Sequence, residues 1–153
     1  GQKQMGFFTE NELETFDFTE SYVSELRFGI GSCYLVADNV KILEKNSKNR
    51  DIRTMRTNGL MLRIVEPQVL AVIEEGCKIY NADGILQQEI ADRIMEPEEY
   101  AALCSALEGA EIYGLKKEGT TYEIGIDGEE HSYTIRIQGT ADTQEWERFM
   151  NLS

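Results

Sequence analysis

Seven basic side chains fall between positions 41 and 63: Lys41, Lys45, Lys48, Arg50, Arg53, Arg56 and Arg63. Only Glu44 and Asp51 oppose them there, so the window carries +5 and the rest of the chain −18, within a formal net charge of −13. A guanidinium is a planar fork of N–H donors that grips carboxylate or phosphate oxygens two at a time, and an ammonium adds a mobile point charge. Arg53, Arg56 and Arg63, with Lys48, Arg50 and the rest of the loop from Lys45, thus form a candidate ligand-binding surface. Its chemistry suits an acidic protein or a small anion. The competing reading is that these cations neutralise acids on the chain's own surface.

Other chemistries find less support. The chain has one histidine, His131, and three scattered cysteines, Cys33, Cys77 and Cys104, with no C-x-x-C or H-x-x-x-H spacing. No metal or other cofactor is expected from such a set. Gly29-x-Gly31 leads into a strand pattern and lacks the helix N-terminus that cradles a phosphate. A G-x-S-x-G nucleophile elbow is absent as well. His131 has the parity of Tyr133, Ile135 and Ile137, which aims it at the apolar side of a hairpin rim with no catalytic partner. Three functions stay open. The leading one is a non-enzymatic binding or accessory module. A small enzyme whose site of Tyr, Arg and carboxylates assembles across a sheet is the second, and a structural, self-assembling subunit is the third.

Charge and cysteine usage set further bounds. A net charge of −13 disfavours nucleic acid and anionic membrane. The longest aliphatic run, Val69 to Ile73, is far short of the ~20 residues of a spanning helix. An odd, sparse cysteine set reads as free thiols in a reducing, cytoplasmic setting.

The elements that must position the basic residues are mostly strands. Residues 1–20, with Phe7, Phe8, Phe16 and Phe18, read as an irregular or partly helical arm lying on a single β-rich domain, 21–153. Asp38-Asn39 predicts a turn, and Asn58-Gly59 is the strongest hairpin signal, a type I′ pair between "IRTMRT" and "LMLRIVE". That hairpin would pair Thr57 with Leu60, Met55 with Leu62 and Arg53 with Ile64 on one face and place Thr54, Arg56, Met61 and Arg63 on the other. "VLAVIEE" reads as a central strand. "CKIYNADGILQQEI" is a further hairpin with Gly84 left-handed. Tyr122, Ile124 and Ile126 match Tyr133, Ile135 and Ile137 across another, whose loop must be even in length.

Two helices are predicted. In 97–108, Pro97 opens the first turn, Gly109 caps the end, and Tyr100, Leu103, Cys104 and Leu107 form the buried stripe. In 142–151, Asp142 is the N-cap, and Trp146, Phe149 and Met150 face the core. A strand series closed by a Trp-containing helix resembles pleckstrin-homology-like domains in its generic layout. The helix at 97–108 departs from that layout, and no residue carries over. The expected fold is α+β: a predominantly antiparallel meander of about ten strands, as a sheet, sandwich or partial barrel, with two short helices packed on it.

Overall fold

A computed structural model describes residues 6–152. The first half of the chain forms strands β1 (Phe7–Glu10), β2 (Phe16–Asp17), β3 (Ser21–Phe28), β4 (Ser32–Asp38), β5 (Val40–Ile42), β6 (Met55–Thr57) and β7 (Leu60–Val65). Next come β8 (Gln68–Glu74), β9 (Cys77–Tyr80), β10 (Leu86–Ile90) and β11 (Arg93–Ile94), then helix α1 (Tyr100–Ala106). Strands β12 (Glu111–Glu118), β13 (Thr121–Asp127), β14 (Ser132–Gln138) and β15 (Ala141–Trp146) complete the chain. The dominant sheet has ten strands in the order β1-β15-β7-β4-β3-β12-β13-β14-β8-β11, and all its pairings are antiparallel. A three-stranded sheet, β2-β5-β6, and a separate pair, β9-β10, accompany it.

The large sheet is two halves joined by a short seam. β3 meets β12 through only two residue pairs, Tyr22 with Glu111 and Ser21 with Ile112. The sheet folds over about that seam, because Tyr122 on β13 hydrogen-bonds Asp142 on β15, five places away in the strand order. Between the halves lie Leu35, Leu60, Leu62 and Ile64 from one side and Ile112, Ile124, Ile126, Ile135 and Ile137 from the other, all buried. The end strands β1 and β11 do not pair, so the sheet stays open. The order also departs from a simple meander: β15 inserts between β1 and β7, and β8 joins β14.

Helix α1, preceded by a 3-10 turn at Pro97–Glu99, forms where the pattern placed it. Leu103 and Leu107 are buried, Tyr100 and Cys104 partly so, and Gly109 takes φ 86° after the last turn. The hairpin 121–138 also has the expected pairs, Tyr122 with Ile137, Ile124 with Ile135 and Ile126 with Tyr133. Its loop is the four residues 128–131.

Several expectations are corrected. No helix covers 142–151. Residues 141–146 are strand β15, with Asp142, Gln144 and Trp146 all turned inward and buried. Polar residues at two of the three inward positions masked the two-residue alternation. The likeness to a pleckstrin-homology layout ends with that helix. The N-terminal segment is not a separate arm: β1 pairs with β15, and Phe16 and Phe18 are buried in the core. Trp146 is buried as expected, but against Phe7 (5.7 Å), Phe16 (5.3 Å) and Phe149 (5.7 Å). β8 is next to last in the sheet, with Leu70 exposed. His131 lies in the 128–131 loop, exposed, its ring edge-on to Tyr133 at 6.4 Å. Cys77, a free thiol, is exposed on β9.

Candidate functional site

Asn58-Gly59 and Asp38-Asn39 are both turns in the sequence reading, and neither turns the chain back on itself. Ala37 pairs with Leu60 and Val40 with Thr57, so the register is the same on either side of these residues. One long ribbon, 32–42 against 55–65, therefore bends at a corner where the two dipeptides face each other. The backbone N–H of Asn39 donates to the Asn58 side chain (2.9 Å), and that of Gly59 donates to the Asp38 carboxylate (2.8 Å). Asn39 and Gly59 hold φ of 61° and 69°, the left-handed region that Asn and Gly tolerate best. Each flips its strand by one residue: odd positions 33, 35 and 37 face the core before the corner, and even positions 40 and 42 after it. The expected faces hold for 55–57 and 60–64, but the expected pairs of Thr57 with Leu60, Met55 with Leu62 and Arg53 with Ile64 do not form, and Arg53 is exposed in the loop.

Beyond the corner the small sheet buries Val40, Ile42, Met55 and Thr57 and turns Lys41 and Arg56 outward. These two are direct cross-strand partners. Like charges placed opposite each other in a ladder are destabilising, so this pairing works against the fold. Arg56 also forms a backbone bridge with Met150, and its Nε donates to the carbonyl of Asn151 (2.9 Å). Arg53 donates from Nη2 to the Asn151 side chain (2.8 Å). Arg56 also donates from Nη1 to Met150 Sδ (3.8 Å), and each guanidinium still has further N–H donors. A notch of about 280 Å³ opens beside them, lined by Arg53, Thr54, Asn151 and Leu152.

The loop 43–54, the true turn of the ribbon, is pinned from beneath. Asn49 is buried and donates to the carbonyls of Ile42 (3.2 Å), Leu43 (3.1 Å) and Arg53 (3.2 Å). Asn46, also buried, donates to Thr15 Oγ1 (2.8 Å), and Ser47 is held by the Glu12 carboxylate. Lys45, Lys48 and Arg50 stand exposed on that fixed loop. Among the described residues none of the seven cations of 41–63 lies within ion-pairing distance of a carboxylate. The cations that do form ion pairs are Arg27, Lys78, Arg93, Lys116, Lys117 and Arg136, all elsewhere.

The corner divides the sequence-predicted set. Arg53 and Arg56 meet at Asn151, Lys48 and Arg50 share the loop, and Arg63 sits on β7 in the large sheet with its Nε on Ser32 Oγ (2.7 Å). Sequence reasoning missed Lys41 as a site residue, and Asn46, Asn49 and Asn151 as its supports. The pair of asparagines three apart in "KNSKN" was the available signal.

Two other polar groupings stand out. Asp142, fully buried, accepts from Tyr122 Oη (2.6 Å), Lys117 Nζ (3.3 Å) and Gln144 Nε2 (2.5 Å). Burial and the adjacent carboxylate push the Tyr122 phenol well above its ordinary range. This cluster ties the two halves of the sheet together. The second lines a concavity of about 480 Å³ on the outer face of β12–β14. There Tyr113 donates to Glu75 (2.5 Å), which also receives Thr134 (3.1 Å). The Tyr113 ring lies flat on Gly125, where a Cβ would come within 2.3 Å of it. Burial and Glu75 raise the Tyr113 phenol above its ordinary range. Among the described residues no group of three or more His, Cys, Asp or Glu could hold a metal ion. No described helix is long and apolar enough to cross a membrane. The chain matches no family model, no curated protein and no solved structure.

Proposed function

We propose that this chain is a binding module that docks an acidic partner, a carboxylate-rich protein segment or a small anion, on the basic corner. The reading rests on one observation: the cations of 41–63 form no ion pair among the described residues, although the chain carries 28 acids. A surface that only balanced its own charge would have used them. The corner instead holds Lys41 opposite Arg56 and presents Lys48 and Arg50 on an asparagine-pinned loop. A site organised in advance loses less side-chain freedom on binding, which favours affinity. Arg63 lies outside this cluster and is expected to contribute through long-range attraction only.

Hexaglutamate peptide titrated into isotopically labelled protein tests the location. At about 0.01 M salt, where the Debye length is about 30 Å, amide shifts should concentrate at 41, 45–50, 53, 56 and 151. They should fade toward about 0.15 M salt, where the length is about 8 Å. Shifts centred on Tyr113 and Glu75 would move the site to the outer concavity and revive the reading of a small enzyme.

A further inference from the structure

Eighteen consecutive residues, 77–94, are all exposed. They contain the β9–β10 hairpin, which pairs with no other strand and so has two free edges. A polar surface loop would explain such exposure, but this hairpin carries large apolar groups on both faces, beside Gln88 on one and the Lys78–Glu89 pair on the other. Cys77, Ile79 and Ile90 share one face, and Tyr80 and Leu86 pair on the other. Ile79, Tyr80, Ile85, Leu86, Ile90 and the adjoining Ile94 are each 44–68% exposed. Six large side chains bared to about half their area amount to on the order of 600 Å² of apolar surface. Summed over both faces, that matches the largest patch a monomer usually leaves uncovered and is about three quarters of the ~800 Å² per partner of a standard interface.

The hairpin is held rather than loose at its root. Gly76 N donates to Asp92 (2.7 Å), and Arg93 bridges Glu74 (3.3 Å) and Glu99 (3.1 Å). A Cβ on Gly76 would lie 1.9 Å from the Ile90 carbonyl oxygen, so the two strands cross there at a distance only glycine permits. A two-stranded ribbon without a face to pack on is marginal in water. Its fixed root and two apolar faces suit it to a partner.

We infer that the β9–β10 hairpin is a dimerisation arm that packs against the same arm of a second copy. Charge is compatible with that occupant. Within 77–90 the charged residues are Lys78, Asp83 and Glu89, a net −1, and Lys78 and Glu89 approach each other at 4.0 Å. The arm offers little to a charged partner and is compatible with itself, as a twofold contact requires. The remaining −12 would push two bodies apart. The arm, however, reaches roughly 20 Å at the rise of a β-strand, beyond the Debye length of about 8 Å at physiological salt.

Sedimentation equilibrium of the full chain with and without Ile79→Lys and Ile90→Lys tests this. Both positions are exposed, so the double variant should keep the native circular dichroism spectrum. The wild type should form a dimer that strengthens with salt, as body repulsion is screened, and the double variant should weaken it about 100-fold or more. A wild type that stays monomeric at millimolar concentration would overturn the inference. So would a dimer untouched by the double variant, which would place the contact elsewhere. Co-sedimentation of the wild type with phosphatidylcholine vesicles, lost in the double variant, would also overturn it, by making the arm a lipid anchor.

Discussion

The chain builds two long ribbons, 32–65 and 77–90, and treats them in opposite ways. The first bends at a corner, buries one face of each segment, and leaves its cations outside without ion pairs among the described residues. The second runs outward, buries nothing, and keeps its few charges near each other. The difference lies in patterning. Strands 55–57 and 60–65 alternate buried and part-exposed residues, whereas 77–90 places large apolar groups on both faces. A ribbon that alternates has one side to give to a core. A ribbon apolar on both sides cannot be satisfied by packing on one.

The largest effect should come from truncating each ribbon. Leu62 is buried at 1% exposure, and Leu62→Ala should cost about 2–5 kcal/mol in chemical denaturation. Ile79→Ala, on the arm, should stay within about 0.5 kcal/mol. Comparable losses at the two sites would mean that the arm folds back onto the body in solution.

Next is the corner itself. Gly59 at φ 69° has open space around it, so Gly59→Val tests backbone strain without a clash. The loss should be about 1–2 kcal/mol, the cost of a left-handed L-residue. Gly84 at φ 79° in the arm's turn invites the same substitution, and there the global melt should hardly move.

Thiol chemistry gives a sharper readout at no cost in stability. Burial pushes the Cys33 thiol, on the bent ribbon, up to about 11, and Cys77 is exposed on the arm. At pH 8 iodoacetamide should modify Cys77 first and leave Cys33 protected until the protein unfolds. Mass spectrometry of the partly reacted protein decides the order.

The smallest effect concerns the opposed cations. Lys41→Glu turns a like-charge pair with Arg56 into an attractive one, so it should stabilise the fold by about 0.2–1 kcal/mol. A loss instead would mean that Lys41 has a structural partner.

Sequence patterning made some of this legible and hid the rest for identifiable reasons. The stripe Tyr100, Leu103, Leu107 and the matched faces of 121–138 were readable because each element obeys a single period. Asn58-Gly59 misled because a left-handed dipeptide serves a corner as well as a hairpin, and only the opposing Asp38-Asn39 distinguishes the two. β15 was hidden because Asp142 and Gln144 point inward, and their partners Tyr122, Lys117 and Thr9 come from distant parts of the chain. The charge of the site was a count, readable at once. Its division at the corner, with Arg63 on one side and Arg53 and Arg56 on the other, needed the fold.

The central claim, that the corner's cations are reserved for a partner, is tested most directly by calorimetric titration of hexaglutamate into wild type and a Lys48→Glu, Arg53→Glu variant. Both side chains are exposed and lack ion pairs among the described residues, and Arg53 gives up only an exposed bond to Asn151, so the variant should melt within a few degrees of the wild type. The wild type should bind at low salt, with affinity falling steadily as salt rises, and the variant should not bind. Equal binding to both proteins, or binding indifferent to salt, would contradict it.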